Sequence, residues 1–206
     1  MATASEKPVL FTIGHSNHDW PKFLGLLQQQ GVTAVADVRS QPTSRLPQFR
    51  RAALEQKLRE AGIEYVFLGR ELGARRDEPE CYEEDCALYE RIAALPLFCR
   101  GIERILDGTP RHRIALMCAE REPLDCHRTL LVCRQLRNKP VVIQHILADG
   151  QVESHAVTEQ RLVQLIREPQ SLLDSEVTES DWLDRAYLER GRAIAYRRMA
   201  NHAAAR

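Results

Sequence analysis

Val32-Thr33-Ala34-Val35-Ala36-Asp37-Val38 is nearly apolar throughout. An unbroken run of this kind marks a strand covered on both faces, as in a parallel sheet between helices. Four further runs repeat the signal: 9–13, 63–68, 114–118 and one that begins at Val141-Val142-Ile143. Helical stretches alternate with them. One opens near Asp19 to Pro21 and stops at Gly31, and others cover 49–61, 82–95, 96–106 and 126–137. Residues 152–157 add a hairpin partner after the Asp149-Gly150 turn. The chain therefore reads as an α/β protein, with a mostly parallel sheet of about five strands flanked by helices. Residues 1–8 form a leader, 9–157 the α/β domain, and 158–206 a helical C-terminal extension that frays at Ala203 to Arg206.

Composition narrows the function. The 206 residues carry 29 basic and 29 acidic groups, a net charge of zero, with 25 Arg against only 4 Lys. Neutrality argues against a broad polyanion-binding surface, so nucleic acid is not favoured as a partner. It leaves room for a local Arg-lined anion site. No apolar run approaches the ~20 residues of a membrane span, and the first residues lack the basic-then-apolar order of a signal peptide. A cytoplasmic protein with six reduced cysteines is expected.

In an open parallel sheet, ligands bind beyond the carboxyl ends of the strands. The residues following the five runs are Gly14-His15-Ser16, Asp37-Val38-Arg39 with Ser44-Arg45, the stretch 69–73, Cys118-Ala119-Glu120 leading to Cys126-His127-Arg128, and Gln144-His145. All are expected to converge on one edge. Each also has a plainer reading. His15 can cap a helix, Asp37 can pair with Arg39 or Arg45, and Cys118 can be a small buried hydrophobe. As a site, Arg39, Arg45 and Arg128 would hold an anion by forked hydrogen bonds, helped by Ser16, Ser44 and Cys126. His15 or His127 would move protons, Cys118 would be the nucleophile, and Glu120 or Asp37 would orient a partner.

Two motifs are absent. Neither Cys118 nor Cys126 is followed six positions on by the Arg of a phosphatase loop, and there is no glycine-rich phosphate loop. A metal site through Cys118, Cys126 and His127 is the weaker reading. It gathers only three ligands, and neighbours on one helix point about 100° apart. No metal and no cofactor is assigned.

The runs 12–17, 37–39, 42–45, 68–73 and 117–120, with Pro123, 126–128, His145-Ile146 and Asp149-Gly150, together resemble the bacterial and archaeal family called domain of unknown function 488. The resemblance covers about residues 9 to 157. It implies a compact α/β domain with a shared polar pocket and supplies no reaction. Three readings stay open: an enzyme acting on a small anionic, nucleotide-like or phosphorylated substrate; a non-catalytic anion or nucleotide sensor; and a nucleic-acid-associated protein using an Arg-rich tail.

Overall fold

A computed structural model describes residues 7–166 and 178–198. Most of the expected leader, the link after 166 and the tail end at 203–206 lie outside the described residues.

The main sheet has six strands: β1 (Val9–Gly14), β2 (Ala34–Asp37), β3 (Glu64–Phe67), β6 (Ile114–Cys118), β7 (Val142–Ile146) and β8 (Val152–Ser154). Their order is β3-β2-β6-β1-β7-β8. All neighbouring pairs are parallel except β7 with β8. β8 is the hairpin partner expected after Asp149-Gly150, but it is only three residues long, and helix α7 (His155–Ile166) follows at once.

The period-two alternation of each strand feeds two cores. Phe11, Ile13, Val35, Ala115 and Met117 pack under helices α1 (Trp20–Gln29) and α2 (Arg51–Glu60), through Phe23, Leu27, Leu54 and Leu58. Leu10, Ala34, Ala36, Leu116 and Ile143 face the other layer, with Phe98 and Ile102 of α5 (Pro96–Gly108), Leu162 of α7, and Trp182, Ala186 and Tyr187 of α8 (Glu179–Ile194). The helix start expected near Asp19 to Pro21 is in place. Asp19 caps it by accepting from the Lys22 amide, and Gly31 ends it at φ +60°.

Three expectations are corrected. The segment 82–95 is not one helix. Tyr82–Glu83 (β4) and Cys86–Ala87 (β5) form a small hairpin turning through Glu84 at φ +53°, and only Tyr89–Ala93 (α4) is helical. The reason is long-range, because the Ala87 amide donates to Tyr196 and the Arg198 amide to Asp85. The stretch Gly69 to Glu80, which reads in the sequence as a charged loop, contains a short helix, α3 (Gly69–Leu72). The expected helix 126–137 starts in an extended Cys126, runs as π-helix over Arg128–Cys133, and closes with α6 (Arg134–Leu136).

The sheet order places one crevice. β2 connects outward to β3, while its neighbour β6 connects the opposite way, across β1 to β7. Adjacent strands with diverging connections leave a gap beyond their carboxyl ends, where open α/β sheets bind ligands.

Candidate active site

The gap between β2 and β6 is a cavity of about 290 Å³, at the lower end of small-molecule sites. Arg39, Ser40, Gln41 and Thr43 line it from the β2 side. Cys118, Glu120, Asp125 and His127 line it from the β6 side, Asp125 being paired with Arg190, and Arg75, Tyr89, Ile194 and Tyr196 also contribute. Close backbone approach brings these loops together. A Cβ on Gly14 would lie 1.9 Å from the Glu120 carbonyl oxygen, and one on Gly69 would lie 2.0 Å from that of Arg39. Only glycine fits at either place.

On the β2 side, Asp37 is fully buried and clamps Arg39. Arg39 Nε donates to Oδ1 at 2.9 Å and Nη2 to Oδ2 at 2.6 Å. The Arg39 amide and the Tyr65 hydroxyl, at 3.1 and 2.8 Å, also donate to this carboxylate. Burial acts to lower the Arg39 pKa, but the bond and charge of Asp37 outweigh it and leave it raised. Arg39 Nη1 donates to the Phe49 carbonyl at 2.9 Å and to His15 Nε2 at 3.3 Å. His15 Nδ1 faces the Ser16 carbonyl at 2.9 Å, so it carries the proton, and Nε2 is the acceptor. The ring stacks on Phe49 at 4.3 Å. Burial lowers its pKa, and the Arg39 charge adds to this. His15 is therefore a neutral support for Arg39.

On the β6 side, His127 Nε2 donates to the Val38 carbonyl at 3.0 Å, and its Nδ1 sits 3.5 Å from Cys118 Sγ. Cys126 Sγ lies 3.0 Å from Glu120 Oε2 and accepts the Arg128 amide at 3.4 Å. Arg128 is fully buried behind them. Its Nη1 donates to the Glu120 carbonyl at 2.7 Å and its Nη2 to that of Arg121 at 3.4 Å. Burial and the neighbouring Cys126 push the Cys118 thiol well up. Burial also opposes ionisation of Cys126, but the Cys118 bond, Arg128 and His127 outweigh it and hold this thiol well down. Glu120 is raised, by burial and then by Cys126. For His127, burial acts to lower the pKa, but the bond and charge of Cys126 raise it.

A family model described as "Domain of unknown function DUF488" matches residues 19–134. The chain belongs to this family. The matched segment of this DUF488 chain holds β2, β6 and the cavity-lining residues other than Ile194 and Tyr196, while His15, Ser16 and His145 lie outside it. No curated protein and no solved structure matches the chain.

The cavity of this DUF488 chain does not gather every residue expected there. Cys118, Glu120, His127 and Arg39 line the cavity, whereas Asp37, Cys126, Arg128 and His15 stand behind it as supports. Arg45 is exposed and not among the lining residues. Ser44 Oγ is taken up by the Leu46 amide in its own loop, and Ser16 Oγ turns to Asn17. His145 does not reach the strand edge. It lies inside β7, with Nδ1 against Thr12 Oγ1 at 2.8 Å.

The expected divergence of Cys126 and His127 is also overturned. Extended backbone at Cys126 takes it off the helix, so both side chains turn to the same spot. Ser40, Gln41, Thr43, Arg75 and Tyr196 were not singled out in the sequence. The first three follow β2 and were within reach of the strand-end rule, whereas Tyr196 arrives only through the packing of the C-terminal segment.

Proposed function

We propose that this DUF488 protein is an enzyme acting on a small anionic substrate, nucleotide-like or phosphorylated, bound in the β2/β6 cavity. The observation that carries the reading is the division of the cavity walls. One wall presents the cations Arg39 and Arg75, and the facing wall presents Cys118, Glu120 and His127. Arg75 is held by Gln41 and stacks on Tyr196 at 4.9 Å. Among the described residues no carboxylate pairs with it. Arg39 already spends donors on Asp37, His15 and Phe49, so it orients more than it neutralises. Arg75 is therefore the principal anion contact in this reading, and Arg39 a fixed dipole beside it.

Attack by a thiol is not the chemistry this geometry favours. A nucleophile needs its thiolate, yet Cys118, which faces the cavity, is held protonated. Cys126, the thiol held down, lies beneath the cavity and does not line it. His127 and Glu120 remain as the groups able to move protons at the substrate.

The test is thermal stabilisation of the wild-type chain by a panel of nucleotides and phosphorylated compounds, with conversion followed by phosphorus NMR. A substrate at 100 times its Kd stabilises by about 2.7 kcal/mol. Arg75→Ala should remove that effect, and His127→Gln should remove conversion. Stabilisation without conversion would make the chain a non-catalytic sensor. No stabilisation by any anion would end the reading.

A further inference from the structure

Four side chains on the β6 side point at one place. Cys118 Sγ, a Glu120 carboxylate oxygen, Cys126 Sγ and a His127 ring nitrogen all lie within 4.8 Å of one another. Each offers lone pairs there. The donors that reach that point are two thiols, the weakest donors among side chains, and the Arg128 amide, 3.4 Å from Cys126 Sγ. His127 cannot supply another while neutral, because its Nε2–H is spent on Val38. Three of the four residues are buried, and the fourth, Glu120, opens to the cavity.

We propose that Cys118, Glu120, Cys126 and His127 bind a divalent ion of the zinc class. Two sulfurs, one imidazole and one carboxylate form a borderline-soft set of four, which suits tetrahedral zinc and disfavours magnesium or calcium. The surroundings fit as well as the ligands. A metal-binding imidazole donates its other ring N–H to a carbonyl or carboxylate, and the His127 Nε2 bond to Val38 at 3.0 Å does this and leaves Nδ1 free for the ion. The Arg128 amide donates to Cys126 Sγ at 3.4 Å. The Arg128 guanidinium fixes the Glu120 and Arg121 carbonyls, and so the loop that carries Glu120. Charge closes too. Two thiolates and a carboxylate against a doubly positive ion leave one negative charge, and Arg128 lies directly behind. The extended backbone at Cys126 puts its side chain and that of His127 on the same side.

The site deepens the enzyme reading, since Cys118, Glu120 and His127 also line the cavity, but it does not depend on that reading.

The experiment uses the full chain, stripped with a chelator and reloaded. Wild type is expected to take up one equivalent of Co²⁺, with intense thiolate-to-cobalt charge-transfer absorption and visible bands of tetrahedral cobalt, and Zn²⁺ should displace it. Cys118→Ser and Cys126→Ser should each weaken Zn²⁺ binding by more than ~100-fold, beyond the loss from removing an outer-shell partner. Cys99→Ser, at an exposed thiol outside the cluster, should change nothing. If a cysteine variant fails to fold by circular dichroism, wild-type stoichiometry and Glu120→Gln carry the test. Glu120→Gln keeps both thiolates, hence the charge-transfer band, with weaker affinity. Folded wild type that takes up neither ion, or that binds Co²⁺ without charge transfer, overturns the proposal. Stabilisation of the stripped chain by anions is measured separately, so the metal site and the enzyme reading fail independently.

Discussion

Two buried polar groupings flank Arg128 and are built on opposite rules. One is a chain of hydrogen bonds between β1, β7, α7 and α8. Tyr187 Oη donates to Glu159 at 2.8 Å. Its single proton is thereby spent, and it accepts from His155 Nε2 at 3.1 Å. His155 Nδ1 accepts from His145 Nε2 at 3.0 Å, and His145 Nδ1 from Thr12 Oγ1 at 2.8 Å. Every proton in this chain has one direction and one acceptor. The other grouping is the Cys118, Glu120, Cys126 and His127 cluster, where two thiols, weak donors, face a carboxylate and an imidazole nitrogen. Arg128 serves both, with Nε on Thr12 at 3.4 Å and Nη1 on the Glu120 carbonyl. A saturated network is built for stability, whereas a convergence of lone pairs leaves a place for something positive.

The contrast makes opposite demands on mutation and pH. The largest effect belongs to the saturated chain. Burial, with the Arg137 charge adding, lowers His155 to about 4, and burial lowers His145 in the same direction. Above the ordinary histidine value of about 6.5 both rings are neutral in the folded and unfolded states. Below it the unfolded chain takes up a proton that the folded chain refuses, so stability falls as pH drops from 6.5 toward 4. At about 1.4 kcal/mol per pH unit the loss at His155 is on the order of 3 kcal/mol. Urea unfolding across this window measures it, and His155→Gln should flatten the curve. An equally steep loss in that variant would place the titration elsewhere.

Next in size is Tyr187→Phe, which strands a buried His155 N–H and should cost about 1–3 kcal/mol in the same assay. A neutral result would mean that the chain from Thr12 to Glu159 is not a stabilising unit. The smallest stability effect is expected for Glu120→Gln. Glu120 is exposed on the cavity side, and the change should stay within ~0.5 kcal/mol while Zn²⁺ affinity falls. Destabilisation as large as that of Tyr187→Phe would place the cluster with the structural network and dissolve the contrast.

Much of the architecture could be read from the chain because its causes are local. Apolar strand runs, the Asp19 cap and the Gly31 stop each carry their physics within a few residues. The segment 82–95 could not, since its helical pattern yields to backbone pairing with residues 196 and 198. The site divides in the same way. The strand-end rule pointed to Cys118, Glu120 and His127 directly. It misplaced Arg45 and His145 because position along the chain says nothing about which way a loop turns or where a strand stops.

By itself the sequence determined the α/β class, the resemblance to DUF488 and the edge of the sheet where the cavity lies. The class follows from side-chain period, the edge from residue types at strand ends, and the family from the resemblance of its motif runs. Only the tertiary structure decided that Arg128 is a buried brace and not an anion contact, that Tyr196 walls the cavity, and that Cys126 and His127 face one point with Cys118 and Glu120. Those outcomes depend on backbone turns of a few residues and on contacts across the fold, which no spacing in the sequence encodes.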